Sequence, residues 1–198
     1  MLSFLPMASK ADDKRQRIIA AATGLFTRYG FKRTSVDLLA AEASVAKPTI
    51  YAYFEDKDGI FRAVVETVCE SLLSSAEAEA SRTEAPVEER LAAMLSAKFT
   101  RYWELVHTSP HAQELTDSQG RLGADIIQRA DRAYARLLTS VIDDATELAP
   151  ARVGLTPQGA AQLLLRAASG AAYDATSAAL HKKHLSEIVR VIVSSMRK

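Results

Sequence analysis

The sequence predicts an all-α protein, and three observations support this fold class. Apolar residues recur three and four positions apart along most of the 198 residues, as they do on one face of a helix. No stretch shows the strict apolar–polar alternation that is typical of strands. Hydroxyl residues precede several apolar stretches, and Gly or Pro follows several of them. Because 48% of the residues are hydrophobic, we expect the helices to enclose a substantial core.

The chain begins with residues 1–9, which we expect to form a loose arm; Met7 is an alternative start to Met1. A helix is predicted over about 10–29, and Gly30 supplies its stop. Its inward stripe is expected to be Ile18, Ala22, Leu25, Phe26 and Tyr29.

Residues 34–60 predict two short helices joined by a tight turn, followed by the start of a longer helix. Thr34 or Ser35 can cap the first short helix, because a hydroxyl there accepts hydrogen bonds from free backbone N–H groups. The turn is expected at 43–45. The second helix is expected over 47–54, and its first turn contains a proline, where a missing N–H costs nothing.

The helix predicted at 47–54 has two distinct faces. Ile50 and Phe54 are four residues apart, so they share a face and are expected to pack inward. The opposite face is small at its centre and polar at its edges, and consists of Pro48, Ala52, Lys47, Thr49 and Tyr51. Small residues allow close approach to a DNA major groove, where hydroxyl and ammonium groups reach bases and phosphates. An ordinary solvated face is the alternative, and the residues alone do not separate the two.

The segment 18–61 resembles the DNA-binding domain of the tetracycline-repressor (TetR) family. The matching elements are Ile18-Ile19, Ala21-Ala22, Leu25-Phe26, Gly30-Phe31, Thr34-Ser35-Val36, Leu39-Ala40, Val45, Lys47-Pro48-Thr49-Ile50-Tyr51, Tyr53-Phe54 and Lys57. The resemblance lies within the first third of the 198-residue chain. It implies an N-terminal three-helix helix-turn-helix DNA-binding domain and a C-terminal helical domain for ligand binding and dimerisation. The corresponding boundaries are 10–56 and 57–198.

The resemblance also implies which residues contact DNA. These are Thr34, Ser35, Lys47, Pro48, Thr49, Tyr51, Ala52, Tyr53 and Lys57, the last meeting a backbone phosphate. Two positions depart from the family pattern. Ser44 replaces the usual Gly, at a cost of ~1 kcal/mol if the turn is left-handed. Ala46 replaces a common Ser or Thr cap, also at ~1 kcal/mol.

The remaining chain predicts further helices, at about 57–81, 87–107, 111–118, 122–148, 157–180 and 185–196. The last two are apolar over wide faces, which indicates a homodimer built from these helices and their mates. Ala167, Gly170 and Ala171 are expected to allow close contact there.

Five residues of this second half are candidates for a small-molecule site: Trp103, His107, Tyr134, Tyr173 and Asp174. Aromatic side chains with a few polar groups are what such a pocket needs. The alternative is that Trp103 and Tyr134 are core residues, since an aromatic stripe at helical spacing is usually core. The small residues around Tyr173-Asp174 can instead serve a subunit interface.

Charge and composition bear on DNA binding, on disulfide formation and on the cellular compartment. The net charge of +1 divides into +3 over residues 1–62 and −2 over the rest, which fits a DNA-facing first part. Cys69 is the only cysteine, so no intrachain disulfide forms. No apolar run approaches the ~20 residues that span a bilayer, and the start lacks a basic signal-peptide segment, so we expect a cytoplasmic protein.

Metal and cofactor chemistry is weakly indicated. His107, His111 and Glu114 are spaced like metal ligands, but Pro110 interrupts the shared helical face. No catalytic triad spacing or phosphate-binding glycine loop stands out, so we expect no cofactor, and an enzyme is the weak alternative.

The sequence therefore predicts a repressor that binds palindromic double-stranded operator DNA as a homodimer. A small-molecule effector that prefers the other conformation would release it. The alternative is a DNA-binding regulator with no small-molecule ligand, whose C-terminal half only dimerises or docks a protein partner.

Overall fold

The structure, a computed structural model, describes residues 10–171 and 175–198, without side-chain positions for residues 10–12, 101 and 105–108. Within those residues the regular secondary structure is helical and no strand occurs, which confirms the predicted all-α class. The arm predicted at 1–9 lies outside the described residues. None of the described helices is long and apolar enough to cross a membrane.

The described part contains nine α-helices and one short 3₁₀ helix. The α-helices are α1 (Lys10–Tyr29), α2 (Val36–Glu42), α3 (Lys47–Tyr53), α4 (Lys57–Ala80), α5 (Val87–Thr108), α6 (Ala112–Leu122), α7 (Ala124–Asp144), α8 (Pro157–Gly170) and α9 (Ala178–Ser195). The 3₁₀ helix is Pro150–Val153.

The helices form two compact units, and the division does not follow the sequence order. The N-terminal unit comprises Met1–Thr67 and Ser109–Ile126, so it includes α6. The C-terminal unit comprises Val68–Thr108 and Ile127–Lys198. The functional boundary predicted at residue 57 stays a prediction, since compactness does not show which residues serve DNA binding.

The core of the N-terminal unit is aromatic. Phe26, Phe31 and Phe61 pack with ring centroids 5.0–5.5 Å apart, in the tilted and edge-to-face arrangements that aromatic quadrupoles favour. The predicted α1 stripe is confirmed at Ile18, Ala22, Leu25 and Phe26. Tyr29 was wrongly included, because this residue is 43% exposed at the end of the helix.

The C-terminal unit is held by an aliphatic core, in which Leu91, Leu95, Leu138, Leu164 and Leu185 are fully buried. The predicted helix at 157–180 was wrong at its end. Helix α8 stops at Gly170, and α9 begins eight residues later behind Ser177, whose hydroxyl accepts the Leu180 N–H at 3.2 Å. The small side chains of this stretch gave no apolar periodicity to mark the break.

Candidate nucleic-acid interface

Helix α3 is fixed from its inward side. Ile50 is 1% exposed and Phe54, which ends the helix, is 7% exposed, as their spacing predicted. Arg15 lies over the Phe54 ring, 5.6 Å from its centroid. Pro48 occupies the first turn, where the absent N–H leaves no bond unmade.

The outward face of α3 is open to solvent. Lys47, Pro48, Tyr51 and Ala52 are exposed, and Tyr51 retains 50% of its accessible surface. Thr49 and Tyr53 are half-buried at the edges. The face is therefore small in the middle with hydroxyl and ammonium groups around it, which is the composition that suits a major groove.

The Lys47 ammonium is already paired. It lies 2.9 Å from a carboxylate oxygen of Asp37 on α2, and both side chains are largely exposed. The hydrogen bond and charge of Asp37 raise the pKa of Lys47 above its ordinary value. An exposed ion pair contributes little to stability, so a phosphate can replace Asp37 as the partner of Lys47 at small cost.

The turn between α2 and α3 shows both departures from the family pattern. Ser44 has φ of 52°, in the left-handed region where a side chain is strained. Ala46 occupies the N-cap of α3 and provides no side-chain hydrogen bond. Arg17 of α1 donates to the carbonyls of Ala43 (2.5 Å) and Ser44 (3.1 Å). The exposed Arg17 thus ties the turn to α1.

Replacing Ser44 with glycine should stabilise the protein. Glycine adopts φ of 52° without strain, and after the greater freedom of the unfolded chain is allowed for we expect a net gain of ~0.5–1 kcal/mol. Urea unfolding measures the gain. Ser71→Gly, in the ordinary conformation of α4, is the matched control and should lose roughly 0.5 kcal/mol. Equal losses in both variants would contradict the argument.

Thr34 and Ser35 have different roles. Ser35 caps α2, with its oxygen accepting the Leu38 N–H at 3.1 Å, and its side chain is exposed. Thr34 is fully buried, and its hydroxyl donates to the Gly30 carbonyl at 2.8 Å. The Thr34 hydroxyl therefore closes the loop between α1 and α2, and the expected DNA contact of this residue stays a prediction.

Lys57 also bonds to this loop. Its ammonium donates to the carbonyls of Phe31 (2.9 Å), Thr34 (3.1 Å) and Lys32 (3.3 Å), and lies 4.5 Å from the centroid of the Phe31 ring. An ammonium has three donors, and all are used here. In the DNA-free protein Lys57 therefore holds the α1–α2 loop, and the phosphate contact implied by the family resemblance stays a prediction.

The ligand-site candidates are only partly described. Tyr134 is 2% exposed in the core of the C-terminal unit, its hydroxyl donates to the Met94 carbonyl, and burial raises the pKa of its phenol. Trp103 is 9% exposed and stacks on His181, with ring centroids 6.1 Å apart. Tyr173, Asp174 and the side chain of His107 lie outside the described residues. Both described candidates thus occupy core positions.

His111 and Glu114, whose spacing resembles that of metal ligands, lie beside Gly30 in the N-terminal unit. Among the side chains that the structure describes, no group of three His, Cys, Asp or Glu is arranged to hold a metal ion. The sequence reasoning missed Glu114 as a contact to the α1–α2 loop, because 82 residues separate it from its partner Lys32.

The fold and the open recognition face define a helix-turn-helix transcriptional regulator, and known proteins agree. Residues 18–64 match the model of the bacterial regulatory proteins of the tetR family. The uncharacterised HTH-type transcriptional regulator YhgD of Bacillus subtilis is 31% identical over 134 residues, which cover 67% of this chain and 69% of YhgD.

Solved structures share the fold at lower identity. A transcriptional regulator from Cytophaga hutchinsonii superposes with a TM-score of 0.75 at 15% identity, covering 94% of this chain and all of that one. The triclosan complex of SmeT, the repressor of the multidrug efflux pump SmeDEF of Stenotrophomonas maltophilia, has a TM-score of 0.67 at 19% identity, covering 93% and 92% of the two chains. The chain belongs to the TetR family of DNA-binding transcriptional regulators.

Proposed function

We propose that this protein is a repressor that binds a palindromic operator as a homodimer and is released by a small molecule. The observation that carries the DNA-binding part is the outward face of α3, which is exposed while Ile50 and Phe54 anchor the helix from behind. A dimer that places two such helices in successive major grooves reads half-sites about one helical turn, ~34–36 Å, apart or a multiple of it.

The side chains proposed to contact DNA do so in different ways. Lys47 exchanges Asp37 for a phosphate, and the Ser35 hydroxyl still has its proton to donate while its oxygen caps α2. Pro48 and Ala52 permit close approach, while three hydroxyl groups reach base edges or phosphates: Thr49, Tyr51 and Tyr53. The DNA-binding domain in this proposal is residues 10–56, supported by α4 and α6.

Tyr51→Ala should weaken binding to the selected operator by about tenfold, because one base-edge contact is lost. The operator is first selected from a pool of random duplexes with the wild-type protein, and affinity is then measured by fluorescence anisotropy. Tyr102→Ala is the matched control, since Tyr102 lies on α5 in the C-terminal unit and is 41% exposed, close to the 50% of Tyr51. If both variants bind the operator like wild type, Tyr51 does not contact DNA.

The proposed effector is a neutral or singly charged, partly aromatic molecule, because the part of the chain after residue 62 carries a net charge of only −2. Its site is proposed around Trp103, His107, Tyr134, Tyr173 and Asp174. The complex of SmeT with triclosan supports this class of ligand, since SmeT shares the fold.

Triclosan and similar compounds provide the test of this site. Trp103 is the only tryptophan, so its fluorescence reports on the site without a label. A compound that quenches Trp103 should also release the selected operator, and Tyr134→Phe, which removes only the hydroxyl, should change both effects together. Quenching without any change in operator affinity would separate the pocket from regulation.

The burial of Tyr134 favours the second candidate function, a regulator without a small-molecule ligand. In this case the C-terminal half only dimerises or docks a protein partner, and the Tyr134 hydroxyl serves the Met94 carbonyl alone. Operator affinity would then be unaffected by any compound that binds the C-terminal unit.

A further inference from the structure

Helix α6 belongs to the N-terminal unit although it follows α5 in the chain. Two polar contacts attach this segment to the end of α1 and the loop after it. Ser109, just before α6, is 7% exposed and donates its hydroxyl to the Thr27 carbonyl in the last turns of α1, at 2.9 Å. Glu114 Oε1 accepts the backbone N–H of Lys32 at 2.6 Å.

The approach of Glu114 to the loop depends on Gly30. A methyl group built on Gly30 would lie 2.7 Å from Glu114 Oε2, closer than real contacts allow, and 3.1 Å from His111 Cγ, which is tighter than most real contacts. Gly30 also has φ of 82°, which disfavours any other residue. With a side chain at position 30, the Glu114 carboxylate would have to shift from its present place beside the loop.

Charged side chains hydrogen-bond to both the N–H and the carbonyl of the Lys32 backbone. Its N–H meets the Glu114 carboxylate, while its carbonyl and the neighbouring carbonyls of Phe31 and Thr34 meet the Lys57 ammonium. A negative group thus faces the donor side of the loop and a positive group faces the acceptor side. Charge-assisted hydrogen bonds of this kind are about twice as strong as neutral ones. Thr34 ends the loop, and Ser35 immediately after it caps α2.

We propose that Glu114 is a positioning residue for DNA recognition: it fixes the loop at residues 30–34 and, through that loop, the start of α2. The proposal rests on the proposed DNA-binding function. Glu114 would thus determine operator affinity from outside the helix-turn-helix. It lies on α6, whereas the helices on either side of α6 in the chain, α5 and most of α7, belong to the C-terminal unit.

The test combines two measurements on the full-length protein. In the DNA-free protein, Glu114→Ala should accelerate amide hydrogen exchange at Lys32 about tenfold, as expected when one charge-assisted hydrogen bond is lost. Affinity for the operator selected with wild-type protein should fall by a similar factor. Glu114→Gln retains an oxygen acceptor without the charge. Its exchange rate at Lys32 and its operator affinity should therefore lie between those of the wild-type protein and those of Glu114→Ala.

Asp117→Ala is the matched control on the same helix. Asp117 is exposed and accepts a hydrogen bond from Gln113 alone among the contacts described, so the variant removes an equal charge without touching the loop. Loss of a negative charge by itself favours binding to phosphates, so Asp117→Ala should bind DNA as well as wild type or better. If Glu114→Ala binds the operator more weakly than wild type and Asp117→Ala does not, the change in net charge cannot be the cause.

A double-mutant cycle separates positioning from general destabilisation. Gly30→Ala carries the backbone strain in any background, but its clash with the carboxylate exists only when Glu114 is present. The loss of operator affinity from Gly30→Ala should therefore be smaller in the Glu114→Ala protein than in wild type.

Three outcomes overturn the proposal: additive effects in the cycle, wild-type exchange at Lys32 in Glu114→Ala, or faster exchange with unchanged operator affinity. If the wild-type protein selects no duplex at all, the proposed function fails instead. The exchange experiment then still decides whether Glu114 holds the loop.

Discussion

Lys57→Met should weaken operator binding by loosening the α1–α2 loop of the N-terminal unit, without the loss of a phosphate contact. The ammonium bonds to three carbonyls in the α1–α2 loop, and no other described side chain serves those three groups. Because the site is only part-buried and water can replace some of the bonds, we expect the free energy of unfolding to fall by about 2 kcal/mol. Thermal and urea unfolding of the DNA-free protein measure this loss.

The control for Lys57→Met is Lys14→Met, which removes the same charge from an exposed position on α1. It should leave the unfolding midpoint at the wild-type value. A different result would support a phosphate contact. If Lys57→Met unfolds like wild type but lowers the salt dependence of DNA binding by about one unit, the lysine contacts a phosphate after all.

Val191→Arg should convert the proposed homodimer into monomers. Val191 on α9 is 67% exposed, which makes it the most exposed large apolar residue of the described chain. It lies on the same side of α9 as the half-buried Leu180 and Ile188, with His184 and Glu187 as polar neighbours on that side. A charge buried in an interface without a partner is strongly unfavourable.

Sedimentation velocity measures the dissociation of the Val191→Arg dimer, and operator affinity should fall about 10²-fold or more because two linked half-site contacts become one. Ser186→Arg is the control, since Ser186 is exposed on another face of α9 and the added charge is the same. A stable Val191→Arg dimer would place the interface elsewhere. Ala171→Arg, the substitution that the sequence suggests, is unsuitable because Ala171 is 5% exposed within the protomer core and the variant would misfold.

The sequence determined the helices and the recognition segment because both depend on neighbouring residues. The spacing of Ile50 and Phe54 gave α3 its inward face, and Pro48 gave its start. The family resemblance pointed to the left-handed turn at Ser44 and to the missing side-chain cap at Ala46, because it compares the chain position by position.

The tertiary structure alone decided how these elements are held. Lys57 and Arg17 bond to backbone carbonyls 23 to 27 residues away, and Glu114 reaches an N–H 82 residues away. A backbone carbonyl or N–H has no signature in the sequence, because every residue except proline carries both. The charged residues near the recognition helices could therefore be located from the sequence, but only the fold shows that Arg17, Lys57 and Glu114 bond to the protein's own backbone.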